Sequence, residues 1–142
     1  MGQLGDALAL MHGAADRFQT VRARVRRRYA GRESITRLRI NVGEPADAHT
    51  DLRLLLHPAP LLGALRFELL GPSTVGGRDV IRLRALPRAR AEGRVVFLFL
   101  GHEADAYDLA VDAERGVILR LAALSDGLEY RVTELLEVAF DE

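Results

Sequence analysis

The chain has 142 residues, 49% of them hydrophobic, which suits one domain, residues 1–142, with a sizeable core. Its 20 basic and 20 acidic residues cancel, which argues against a uniformly basic nucleic-acid binder and a disordered acidic tail. Cysteine is absent, so disulfides, thiolate metal sites and cysteine nucleophiles are excluded.

The first element reads as a helix. Asp6 is placed to cap it, and Leu4, Leu8, Met11, Ala15 and Phe18 recur at spacings of three and four, one apolar stripe at helical period. The period then drops to two. In Thr20 to Arg28, Val21, Ala23 and Val25 alternate with Arg22, Arg24 and Arg26, so the two sets occupy opposite faces of a strand. Ile35 to Val42 repeats the pattern, with Leu38, Ile40 and Val42 opposed to Arg37, Arg39 and Asn41. Ala30-Gly31-Arg32 reads as the turn between them.

Gly43 to Thr50 is polar and reads as a loop, Leu52 to Leu56 as a short strand, and Pro58 to Leu65 as a short helix with proline in its first turn. The remainder reads as a meander. Strands are expected at Arg66 to Leu70, Val80 to Leu86, Val95 to Leu100, Tyr107 to Val111, Val117 to Leu124 and Leu128 to Phe140. Gly71 to Gly77, Pro87 to Gly93, Asp112 to Gly116 and Ser125-Asp126-Gly127 are the turns and loops, with Gly116 supplying a left-handed residue. The expected fold is α+β and mainly β: an N-terminal helix, a short helix near 58–65, and a curved antiparallel sheet of about eight or nine strands forming an incomplete, open barrel.

Charge is segregated along this plan. Arg17 to Arg39 holds nine arginines and one acid, Glu33, whereas residues 101–142 hold eleven acids and three arginines. Two readings follow. The arginine face lies against late-strand acids such as Glu134 and Glu137 or faces solvent, which is the usual outcome. Alternatively, Arg22, Arg24, Arg26, Arg37 and Arg39 bind an anion or steer a partner. Nucleic acid is not expected, because no aromatic residue interrupts Arg22 to Arg28 as a stacking platform.

Catalytic and metal chemistry finds little purchase. Only His102-Glu103-Ala104-Asp105 looks even superficially like a ligand cluster, and a metal site needs three or four ligands that converge. Ser34, Ser73 and Ser125 lie beside turns and outside any Gly-x-Ser-x-Gly elbow. Gly71 to Gly77 lacks a phosphate-loop ending, and the chain has no lysine. No enzyme and no cofactor are expected. The longest apolar run, Val95 to Leu100, is far short of a membrane span, and Met1 to Leu10 lacks the basic start of a signal peptide. The expected location is cytoplasmic as written, and extracytoplasmic if a leader has been removed.

Four stretches carry a family resemblance: Leu61-Leu62-Gly63-Ala64-Leu65-Arg66-Phe67-Glu68-Leu69-Leu70-Gly71, Val75 to Ala85, Tyr107 to Arg120 with its Asp112-Ala113-Glu114-Arg115-Gly116 turn, and Val132 to Glu142. In this order they resemble actinobacterial proteins of the outer-membrane lipoprotein-sorting, LolA-like superfamily. The resemblance is closest over residues 58–142 and looser before them. It implies a half-barrel with an apolar concave face partly covered by helices, and members that carry or sense lipoproteins or lipids. The chain departs from the pattern in having no lipobox cysteine and no tryptophan, and region 43–57 is reduced.

The expected function is non-catalytic binding of a lipid, acyl or other apolar ligand by Phe67, Leu69, Phe97, Phe99, Leu109 and Val111. The competing expectation is that these residues are core and that the chain is a protein-interaction module without a small ligand.

Overall fold

The computed structural model describes residues 3–29, 31–41, 52, 55–87 and 104–141. Helix α1 spans Gln3–His12. Its spacing puts Ala7 and Met11 fully into the core, with Leu4 and Leu8 packed at the margin. Because the helix starts at Gln3, Asp6 lies within its first turn rather than at the expected N-cap. There an acid still complements the positive end of the helix dipole. After Gly13 a 3-10 turn, Ala14–Arg17, leads to an extended Phe18, which is buried.

Among the described residues seven strands follow: β1 Thr20–Tyr29, β2 Arg32–Asn41, β3 Leu65–Val75, β4 Arg78–Pro87, β5 Ala106–Asp112, β6 Ile118–Ser125 and β7 Leu128–Phe140. They form one open antiparallel sheet in the order β2-β1-β7-β6-β5-β4-β3. The protein is thus mainly β, as the alternating patterns predict. The expected strand at Val95 to Leu100 lies outside the described residues, as do Phe97 and Phe99.

Two expected elements are corrected. Leu52, Leu55 and Leu56 are helical and buried, not extended. Their spacing of three and four suits one helical face, and so short a run of leucines has no intrinsic bias to a strand. Gly71 to Val75 continues β3 instead of forming a turn, and only Gly76 and Gly77 turn the chain, at φ of 57° and 80°. A register shift between Leu69 and Gly71, with Gly71 at φ 130°, absorbs the glycine as a β-bulge. The expected short helix survives as one turn, Leu61–Ala64, after Pro58.

The strand pairing sorts side chains into two faces. The inner face carries Val21, Ala23, Val25, Leu83, Leu109, Leu121 and Leu135, and shares one core with Ala7, Met11 and Phe18 of the N-terminal segment. The outer face carries most of the arginines. Near the middle of the sheet this contrast fades. β5 and β6 are buried on both faces, with Ala110 and Ala122 as well as Leu109 and Leu121 withdrawn from solvent. Strands buried on both sides read as continuous apolar runs, which is how Val117 to Leu124 looks.

The start of β1 is tied to the end of its neighbour β7 by one side chain. The Asp141 carboxylate accepts hydrogen bonds from the backbone amides of Gln19 at 2.6 Å and Thr20 at 3.0 Å. The Gln19 amide, and then that of Thr20, holds its pKa below the ordinary carboxylate value. A group depressed in the folded state stabilises above its unfolded pKa, and that contribution fades as pH falls through the lowered folded value. Asp141→Asn keeps an acceptor oxygen and tolerates the left-handed φ of 58° at this site. Thermal melts of the two proteins are therefore expected to differ at pH 7 and to converge well below about pH 4. An equal gap at pH 3 and pH 7 would show that the charge is not responsible.

Candidate functional site

The inner face is built from cross-strand rows. Leu69, Leu83, Leu109 and Leu121 stand opposite one another on β3, β4, β5 and β6. Exposure along this row falls from 36% at Leu69 to 0% at Leu83 and 2% at Leu109. The next row runs Phe67, Ala85, Tyr107, Ala123, with Phe67 half-buried against the core and Tyr107 fully buried. Burial is the main cause that raises the Tyr107 phenol above its usual value, so it stays protonated as a packed aromatic. Beside Leu69, Leu70 occupies the bulge and is also exposed.

The structure thus brings Phe67, Leu69, Leu109 and Val111 to one face, but in two different roles. Leu109 and Val111 are core, with Val111 fully buried. Phe67 and Leu69 belong to the border strand, where the apolar surface reaches solvent. Leu83 and Leu121 complete the row and were not singled out by sequence reasoning. Their signal was present in the apolar sets of β4 and β6, but only the register shows that they stand in line with Leu69.

The outer face carries Arg22, Arg24 and Arg26 on β1 and Arg37 and Arg39 on β2. Several outer arginines meet acids. Arg24 reaches Glu137 at 3.2 Å, Arg26 pairs with Glu33, and Arg28 approaches Glu134 at 4.0 Å. Arg84 pairs with Asp108 at 2.5 Å and Arg120 with Glu129 at 3.0 Å. The expected role of Glu134 and Glu137 as counter-charges is met. Glu137 reaches its place through the register shift between β1 and β7 opposite Arg22 and Arg24, with its own φ at 51°. That bulge was not visible in the sequence.

Two pairs of arginines also stand opposite each other across β1 and β2. Arg22 stands opposite Arg39, and Arg24 opposite Arg37. Arg37 and Arg39 make no ion pair among the described residues. A groove of about 530 Å³ runs over this block, lined by the four arginines and Glu137.

A third cluster packs the sheet against Phe18 of the N-terminal segment. Asp112 is 2% exposed; its Oδ1 accepts from the amides of Glu114 and Arg115, and its Oδ2 faces Arg78 at 3.3 Å. The guanidinium groups of Arg78 and Arg115 lie over the Phe140 ring at 5.2 and 4.5 Å, and Phe18 packs against that ring at 5.2 Å. Of the His102 cluster, only Ala104 and Asp105 fall among the described residues. No group of three or more metal-type ligands gathers among those residues. No described helix is long and apolar enough to cross a membrane.

The described residues form an open antiparallel sheet with helical segments packed along one face. No protein-family model matches the sequence, and no curated protein matches it in sequence. Solved structures do match. The crystal structure of MucB superposes with a TM-score of 0.68 at 13% identity, over 100% of this chain and 60% of that one. The MucA/MucB complex of Pseudomonas aeruginosa gives 0.62 at 16% identity, over 96% and 58%. An uncharacterized conserved protein from Thermus thermophilus gives 0.58 at 12% identity, over 99% and 89%. The chain therefore spans about 60% of the length of the MucB structure. What is shared at these identities is the fold. The matches also include a putative outer membrane lipoprotein-sorting protein domain from Vibrio parahaemolyticus, at a TM-score of 0.44 and 11% identity.

Proposed function

We propose that this chain is a non-catalytic binding protein that takes an acyl chain or similar apolar group along the β3 border of its inner face. The observation that carries the reading is the leucine row, fully buried at Leu83 and opening to 36% exposure at Leu69, with Leu70 exposed at 48% beside it. An apolar row that continues from the core to the border gives a ligand a surface already dry on one side. Covering it is worth about 25 cal/mol for each Å² of apolar surface removed from water. Phe67 and Leu69 are the residues of contact. Leu109 and Val111 continue the same face on β5, two strands further in, and act through packing.

Displacement of a fluorescent fatty-acid probe, with native mass spectrometry of gently purified protein, tests the reading. The wild-type chain is expected to bind the probe, and Leu69→Asp to weaken it by about tenfold, since a desolvated carboxylate opposes an apolar ligand. A wild-type protein that neither binds the probe nor carries a lipid ends the proposal.

A second reading, a protein-interaction module, has one observation in its favour: a fold shared with MucB, which has been crystallised in complex with MucA. Light scattering across a salt series separates the two. Self-association that weakens with salt, without probe binding, favours the module.

A further inference from the structure

We infer that the outer edge of β2 is a self-recognition surface: a second copy of this chain pairs with it antiparallel about Ile35, and the two sheets run on as one. This edge lies at the end of the sheet opposite β3, so the pairing stands whether or not the inner face takes a ligand.

The two borders of the sheet differ. Half of the amides and carbonyls of a border strand point away from its only partner, and that row is a template for another strand. β3 blunts its edge. Gly71 sits in a bulge at φ 130° and is followed by Pro72, which has no N–H to offer. β2 has neither device. Arg32–Asn41 contains no proline or glycine, and its register with β1 runs without a break over the whole strand. Among the described residues β2 pairs with β1 alone. Arg32 to Arg37 are exposed on both faces, so no described element covers them. Among them Ile35 leaves a large apolar side chain 48% exposed.

The remaining guard on this edge is charge, and a two-fold axis turns it into a match. In antiparallel self-pairing about Ile35, residues equally far from it stand opposite each other. Ile35 then meets Ile35, Ser34 meets Thr36, and Glu33 meets Arg37 on both sides of the axis. Opposite charges and hydroxyl pairs set directly across strands favour pairing. Neighbouring centres do worse. About Thr36, Ile35 faces Arg37; about Arg37, two guanidinium groups meet on the axis. Both charged residues have room for the contact. Glu33 pairs with Arg26 yet its side chain stays 45% exposed, and Arg37 has no acid partner among the described residues. Exposed ion pairs add little by themselves. The backbone ladder supplies the affinity, and the charges select the register. A two-fold contact of this kind is closed on itself, so it ends at a dimer.

Sedimentation velocity over a concentration series, at low and high salt, reads the pairing. The wild-type chain is expected to show a monomer–dimer equilibrium that weakens as salt rises. Arg37→Glu sets carboxylates against each other on both sides of the axis, and Glu33→Arg does the same with guanidinium groups. Each variant alone should raise the dimer dissociation constant by at least about tenfold. Mixed in equal amounts, the two variants place opposite charges at both positions, and the mixed dimer should return to within about threefold of wild type. Ile35→Asp keeps both charged residues and puts two carboxylates on the axis. It should weaken the dimer by about tenfold, and it tests the edge even if Glu33→Arg does not fold. A wild-type chain that is monomeric at every concentration overturns the inference. So does a dimer untouched by Ile35→Asp and Arg37→Glu, or a mixture of folded variants that pairs no better than they do apart.

Discussion

Replacing Gly116 with alanine is expected to remove about 3–5 kcal/mol of stability, a large share of what a domain this size possesses. Two costs combine. Gly116 has φ of 80°, where an L side chain pays about 1–2 kcal/mol. The added Cβ would also stand 2.1 Å from the Leu10 carbonyl oxygen and 2.4 Å from its carbon. Those atoms are helix backbone and cannot rotate aside, so α1 must lift from the sheet and loosen the packing of Ala7 and Met11. Gly31 supplies the control. Its φ of 78° is similar, but nothing lies within 4 Å of a Cβ built there, so Gly31→Ala should cost only about 1 kcal/mol. Urea denaturation of both variants checks the argument. Equal losses would mean that contact with α1 contributes nothing.

The second large effect is expected at Asp112. Asp112→Ala deletes an acceptor for the Glu114 and Arg115 amides and leaves the half-buried Arg78 guanidinium without its carboxylate. Breaking one side of a buried charged pair costs about 3–5 kcal/mol. Arg78 keeps its bond to the Val138 carbonyl at 3.0 Å and its place over the Phe140 ring, which moves the expectation to about 3 kcal/mol. Asp112→Asn retains an oxygen for the two amides but not the charge, and should recover about half of that loss. If the alanine and asparagine variants unfold at the same urea concentration, the amide contacts carry no weight and the ion pair accounts for the whole effect.

Much of this architecture was legible because the strands repeat at a period of two. β7 was expected from Leu128 to Phe140 and occupies those residues, since its ends are set by the Asp126-Gly127 turn and by the acids after Phe140. Alternation likewise assigned Arg22, Arg24, Arg37 and Arg39 to one face. It could not show that they oppose one another. That depends on the turn length, and a three-residue turn, Ala30 to Arg32, shifts the register from the one observed, in which Tyr29 pairs with Arg32. The bulges at Leu70 and Glu137 were hidden for a related reason. An extra residue interrupts periodicity without leaving a composition of its own. Gly71 therefore read as the start of a turn, when it marks a kink inside β3. Asp112 looked like an ordinary hairpin acid. Its burial follows from the approach of Arg78 on β4 and the folding of the turn around it, contacts that no local pattern encodes. Among the apolar candidates, sequence identified the face but could not divide the buried Leu109 and Val111 of an inner strand from Phe67 and Leu69 at the border, because that division depends on the strand order.

The pairing of β1 with β7 also sets the order in which the sheet can close. β3 with β4, β5 with β6 and β6 with β7 are neighbours in the chain and join through short connections or, for β4 to β5, a moderate one. β1 has only β2 as a local partner, and its other edge must wait for a strand more than a hundred positions away. Gln19 and Asp141, whose hydrogen bond clasps that seam, are 122 positions apart. Contacts of such long range make for slow folding, because chain entropy is lost before the contacts that repay it are made. The β1–β2 hairpin, which bears the arginine block, thus joins the sheet through the last strand of the fold. Until that seam closes, the block lacks Glu137, the carboxylate that borders it.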